Sequence, residues 1–101
     1  MSKVRKSKYE GRLFTIIGNP TKVAYSPAKN SREKAAKEVV SLLPDLAYMA
    51  FSYNQFIDYR EDRERARPGY RSRGGSDYAR ELAGKSFSHL RKHGFIAEIV
   101  A

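Results

Sequence analysis

The chain has 101 residues, no cysteine and a formal net charge of +9, with 20 Lys and Arg against 11 Asp and Glu. This length allows one domain, and the lack of cysteine excludes disulfides and thiolate metal sites. No apolar run approaches the roughly 20 residues of a membrane span, and no hydrophobic stretch follows the basic start, so we expect a cytoplasmic protein without a secretory signal.

Positive charge is concentrated at both ends of the sequence. Residues 1–30 contain seven Lys or Arg and one acidic residue. Residues 31–66 contain six Lys or Arg and seven acidic residues, and residues 67–101 contain seven Lys or Arg and three acidic residues. Solubility requires no such partition, whereas a protein that binds a phosphate backbone benefits from it. The charge distribution therefore predicts a nucleic-acid partner, either DNA or RNA.

The first predicted elements are a basic arm and a β-hairpin. Residues 1–10 are expected to form a flexible arm, and residues 11–101 a single domain. Residues 12–17 are rich in β-branched and aromatic side chains, which predicts a strand. A second short strand is predicted over residues 22–26, ending at Pro27.

Two helices are predicted next. Asn30 and Glu33 form a capping-box pattern at the start of the first helix. Pro44 is expected to end this helix, because its ring disfavours helical geometry at Leu43, and to stand in the first turn of the second helix. The apolar stripe predicted for the second helix comprises Leu46, Met49, Ala50, Tyr53, Phe56 and Ile57.

A third helix and a last strand complete the predicted fold. Ser76 is the expected N-cap of the third helix, and Gly94 is placed just beyond its end. Residues 95–100 are predicted to form a strand that joins the N-terminal hairpin. The sequence thus predicts an α+β fold in which a small antiparallel or mixed sheet packs with three helices, in the order β-β-α-α-α-β.

Candidate binding residues fall in the arm, in a glycine-containing loop over residues 67–75, and at the end of the third helix. Arginine pairs with phosphate through two parallel hydrogen bonds, and a tyrosine ring offers a face on which a base can stack. The residues predicted to contact nucleic acid are Lys3, Arg5, Lys6, Lys8, Arg67, Tyr70, Arg71, Arg73, Arg91 and Lys92.

Other charged groups are not predicted to form a metal or cofactor site. His89 and His93 share a helix face, but the flanking Arg91 and Lys92 would repel a metal cation. Interleaved arginines would neutralise the acidic residues of the second helix, and a solvated face is expected for Asp58, Glu61, Asp62 and Glu64. We expect no metal, no cofactor and no enzymatic activity.

Three alternatives remain open at this level. The chain could be a small virus- or plasmid-type regulator or inhibitor that binds an acidic host protein through the tyrosines of the second helix and the basic surface. It could be a metal-independent ribonuclease that uses His89 and His93 as base and acid. An exposed edge strand could also pair two copies into a homodimer.

Overall fold

A computed structural model describes residues 9–18 and 27–99 of the chain. The predicted α+β class is confirmed, with three helices and a three-stranded antiparallel sheet. The described elements are, in chain order, β1 (Leu13–Ile16), α1 (Ser31–Leu46), β2 (Phe51–Ser52), α2 (Tyr53–Arg65), a short 3-10 turn (Arg71–Arg73), α3 (Gly75–Lys92) and β3 (Ile96–Ile99).

The sheet has the strand order β2-β1-β3, so the first strand lies in the middle. The predicted pairing of the last strand with the first is confirmed, with Leu13 opposite Ile99 and Ile16 opposite Ile96. The second neighbour of β1 is β2, where Phe51 lies opposite Phe14. The strand predicted over residues 22–26 lies outside the described residues.

Helix α1 begins where the sequence predicts and ends later. The Asn30 side chain accepts a hydrogen bond from the Glu33 amide at 2.9 Å, as expected of an N-cap. The Glu33 carboxylate accepts from the Lys29 amide instead of the Asn30 amide. The predicted end at Pro44 is wrong, because Leu42 and Leu46 are buried and hold the last turn against the core, which outweighs the preference of proline for a helix boundary.

The segment between α1 and α2 also departs from the prediction. Met49 and Ala50 do not belong to α2, since the chain leaves α1 at Ala47 and Tyr48 adopts a positive φ of 64°. Helix α2 begins at Tyr53 with a full capping box, in which Ser52 accepts from the Gln55 amide and Gln55 accepts from the Ser52 amide. This Ser-x-x-Gln pattern is visible in the sequence and marks the true helix start.

The core lies between the sheet and the helices and is rich in aromatic rings. Phe87 on α3 is fully buried, and the rings of Tyr9, Phe14, Tyr53 and Phe56 lie 4.9–5.4 Å from its own. Tyr9 is only 8% exposed. The packed domain therefore includes Tyr9, although the sequence assigned residues 1–10 to the arm.

Helix α3 begins one residue before the predicted cap. Its N-cap is Gly74, at a φ of 108° that only glycine adopts without strain, whereas Ser76 lies inside the helix and donates a hydrogen bond to Glu61. The helix ends as predicted, with Gly94 beyond the last turn at a φ of 80°. Eighteen residues of α3 thus separate the glycine loop from the C-terminal end of the helix.

Candidate nucleic-acid interface

The loop between α2 and α3 carries Arg67, Tyr70, Arg71 and Arg73, and backbone hydrogen bonds close it. The Arg73 amide donates to the Gly69 carbonyl at 3.1 Å, and the Gly75 amide donates to the Tyr70 carbonyl at 3.0 Å. The sequence predicted a flexible arginine loop. In the structure the loop forms hydrogen-bonded turns, and these turns fix the backbone positions from which the arginine side chains extend.

Glu64 binds two of the predicted arginines to the domain. This side chain is buried, with 2% of the residue exposed. Its carboxylate lies 3.2 Å from Arg73 Nη2, 3.6 Å from Arg67 Nε and 3.8 Å from Arg60 Nη1. Arg67 and Arg73 therefore compensate a buried charge, an arrangement in which removal of one partner is costly.

Glu61 is a second buried carboxylate and links α2 to α3. It accepts hydrogen bonds from Arg80 Nη1 at 3.0 Å, Ser76 Oγ at 3.1 Å and Arg65 Nη2 at 2.7 Å. The bond from Arg80, followed by those from Ser76 and Arg65, holds the pKa of Glu61 below its usual value against the opposing effect of burial. The expectation of a wholly solvated acidic face is wrong for Glu61 and Glu64, because the arginines of two elements enclose them.

Tyr70 and Arg71 remain on the surface. Together with Arg65, Gly69 and Ser72 they line an open concavity beside the 3-10 turn. Arg71 is exposed and has no carboxylate partner among the described residues. The Tyr70 hydroxyl, followed by Glu61, raises the pKa of the Arg65 guanidinium. Within the loop, Arg71 is therefore the predicted residue best placed to contact a ligand. The half-buried Tyr70, whose hydroxyl bonds to Arg65, lies beside it.

Arg91 lies where the predicted arm joins the domain. Its guanidinium carbon is 5.5 Å from the ring centroids of both Tyr9 and Phe14. Arg12 approaches the same two rings and binds Glu98 through Nε at 2.8 Å and Nη2 at 2.5 Å. This bidentate bond raises the pKa of Arg12 and lowers that of Glu98. Lys92 is exposed in the same helix turn as Arg91.

The arm itself carries the other predicted residues. Lys3, Arg5, Lys6 and Lys8 lie outside the described residues, and Lys8 directly precedes Tyr9 in the sequence. Arg91 lies over the ring of Tyr9, the residue that follows this basic segment in the sequence.

The two sets of predicted residues are not brought together. Gly75, next to the loop, and Arg91 are 16 residues apart on one helix, which corresponds to about 24 Å at 1.5 Å per residue. The loop and Arg91 therefore lie at opposite ends of α3. The loop and the end of α3 form two separate basic surfaces.

The two histidines lie together near the end of α3. Their ring centroids are 4.8 Å apart, and each Nε2 atom is buried without a hydrogen-bond partner among the described residues. Burial, followed by the charges of His89, Lys92 and Arg32, lowers the pKa of His93. No group of three or more His, Asp or Glu side chains in the described region has the geometry of a metal site.

Known proteins offer no guide to the role of these surfaces. No protein-family model, curated protein or solved structure matches the chain. Within residues 9–18 and 27–99, no helix combines the length and the apolar character needed to cross a membrane.

Proposed function

We propose that this protein binds nucleic acid through the phosphate backbone. The main contact is the basic segment at residues 1–8 together with Arg91 and Lys92 at the end of α3, and Tyr70 and Arg71 form a second contact. Such binding depends on the release of counterions from the phosphates, so it weakens steeply with salt and has little sequence preference.

The distribution of acidic residues is the observation that carries this proposal. All eleven Asp and Glu residues lie at position 10 or later in the sequence, and arginines pair with most of them. Residues 1–8 contain four Lys or Arg and no acidic residue. The segment is therefore a cluster of positive charge whose nearest acidic residue in the sequence is Glu10, and an external anion is the partner that we propose for it.

The contacts of Arg91 support the same location. A guanidinium over two aromatic rings is held in place by cation–π contacts, and the edge of such a group can donate hydrogen bonds to phosphate. Arg67 and Arg73 are less suited to this role, because a phosphate would compete with the buried Glu64 carboxylate for them. We therefore propose that these two arginines stabilise the loop through Glu64 and do not bind nucleic acid.

Fluorescence anisotropy on duplex DNA, single-stranded DNA and hairpin RNA at several salt concentrations tests the proposal. In a plot of the logarithm of the association constant against that of the salt concentration, the wild type should give a steep negative slope. The double variant Lys6→Ala, Lys8→Ala should make this slope shallower by about 0.9 for each duplex phosphate that it no longer neutralises. The matched control is Lys29→Ala with Lys37→Ala, which removes the same charge outside the proposed surface. Equal effects in both variants, or no binding at low salt, would refute the assignment.

A protein partner is the second candidate, and one observation favours it. Tyr48 is fully exposed at a strained φ of 64°, and the adjacent Met49 is half exposed. Tyrosine and methionine are both enriched at protein interfaces. The tyrosines of α2 are less suitable, because Tyr53 and Tyr59 pack against the core. A partner recovered from nuclease-treated extract by the wild type but not by Tyr48→Ala would support this candidate.

A further inference from the structure

We infer that the cleft between α1 and α3 binds a phosphate monoester. This inference extends the proposed function. It rests on that function only in naming nucleic acid as the polymer whose terminal phosphate would enter the cleft. The cleft has a volume of about 340 Å³, and most of its α3 lining residues lie in the C-terminal half of the helix, away from the glycine loop. Its charged and polar lining comprises Lys34, Glu38, Arg60, Lys85, Ser86 and His89.

The carboxylate in the cleft is already neutralised. Glu38 accepts a hydrogen bond from Arg60 Nε at 2.9 Å and another from the Ser86 hydroxyl. The side chains of Arg60 and Glu38 are 14% and 16% exposed, so the pair is largely shielded from water. An anion that enters the cleft therefore meets a compensated ion pair and not a free negative charge.

Two ammonium groups, one from each helix, remain to attract an anion. Lys34 on α1 is exposed and has no carboxylate partner in the described part of the chain. Lys85 on α3 has only Glu81, at 3.5 Å, and both of these side chains are mostly exposed. Exposed pairs of this kind contribute little, so Lys85 can exchange Glu81 for a ligand at low cost.

His89 and Leu82 complete the lining with groups that suit a phosphate ester. The half-buried His89 ring borders the cleft. An imidazole N–H can donate a hydrogen bond to a phosphate oxygen. Leu82 offers an apolar wall to the ester group.

The charge of the lining favours a monoester over a diester. A monoester carries close to two negative charges at neutral pH, whereas a phosphodiester within a polymer carries one. Two available ammonium groups therefore match a terminal phosphate or a free nucleotide better than an internal linkage. Both sources share this chemistry, and the probes below separate them.

Calorimetric titration with inorganic phosphate, and with a short single-stranded DNA that has either a 5′-phosphate or a 5′-hydroxyl, tests the inference. Lys34→Gln with Lys85→Gln should weaken phosphate binding at least tenfold, since each ammonium removed is a charged hydrogen-bond donor. This variant should also lose any preference for the 5′-phosphate. The control, Lys29→Gln with Lys37→Gln, removes two lysines outside the cleft and should keep both properties.

The outcomes separate this inference from the proposed function. Equal phosphate affinity in the two variants, or none in the wild type, overturns the cleft site even if DNA still binds through the arm. Phosphate binding that depends on Lys34 and Lys85, without any binding of duplex DNA, single-stranded DNA or hairpin RNA, supports the cleft and refutes the proposed function. Lys29, Lys34 and Lys85 are exposed and Lys37 is half-buried, and urea unfolding of both variants verifies that they remain folded.

Discussion

Replacing Glu64 with glutamine tests whether the loop arginines serve stability. At an effective dielectric constant of about 20, unit charges 3.2 Å apart, the distance from Glu64 to Arg73, attract by about 5 kcal/mol before desolvation is subtracted. Breaking a buried ion pair costs about 3–5 kcal/mol in general. Arg67 and Arg73 are about half exposed and regain hydration, so we expect a loss of about 2–3 kcal/mol.

Urea unfolding followed by circular dichroism measures this loss. In a domain of this size it corresponds to a fall in Tm of about 10–20 °C. Asp62→Asn is the matched control, because it removes the same charge from the same helix at a largely exposed pair with Arg65, where we expect at most about 0.5 kcal/mol. If Glu64→Gln differs from Asp62→Asn by less than about 0.5 kcal/mol, the network does not hold the loop and the reasoning fails.

Three further predictions concern the core, a helix cap and pH. Phe87→Ala should lower the free energy of unfolding by about 3–5 kcal/mol in urea, and a loss below about 1 kcal/mol would contradict its central place. Asn30→Ala should lose about 1 kcal/mol by the same measurement but Asn30→Gly only a few tenths, and equal losses would exclude the cap. Because the pKa of His93 is lowered, the unfolded state takes up the proton first, so stability should fall as pH drops through about 6.5. His93→Gln should remove this fall in the free energy of unfolding. Glu61 and Glu98, whose pKa values are also lowered, affect stability only below about pH 4.5. A variant with the same dependence of stability on pH as the wild type would refute the assignment.

Local sequence patterns predicted most of the helices correctly. The Asn30 cap and the stop at Gly94 depend on neighbours within a few residues, so they are visible in the sequence. The end of α1 could not be placed, because the burial of Leu46 against the core is a tertiary effect that overrides Pro44. Strand β2 has only two residues, too few to produce a pattern of alternation.

The candidate site was less accessible to sequence reasoning, because it depends on which charges meet in the fold. Arg67 and Glu64 are three residues apart, so their pairing was visible on a helix, but the contact of Arg73 with Glu64 requires the 3-10 turn to fold back. Lys34 and Lys85 are separated by half of the chain, and only the packing of α1 beside α3 places both at one cleft. No local sequence pattern predicts that these two lysines lie at the same cleft.

Helices cover only one side of the sheet in the described region. Leu13, Ile17 and Ile99 project from the other side and are 41–47% exposed. Residues that touch no core side chain can be exchanged at little cost to folding. These outward positions therefore form a scaffold for engineering: a library randomised there could acquire a new recognition surface while the aromatic interior stays untouched.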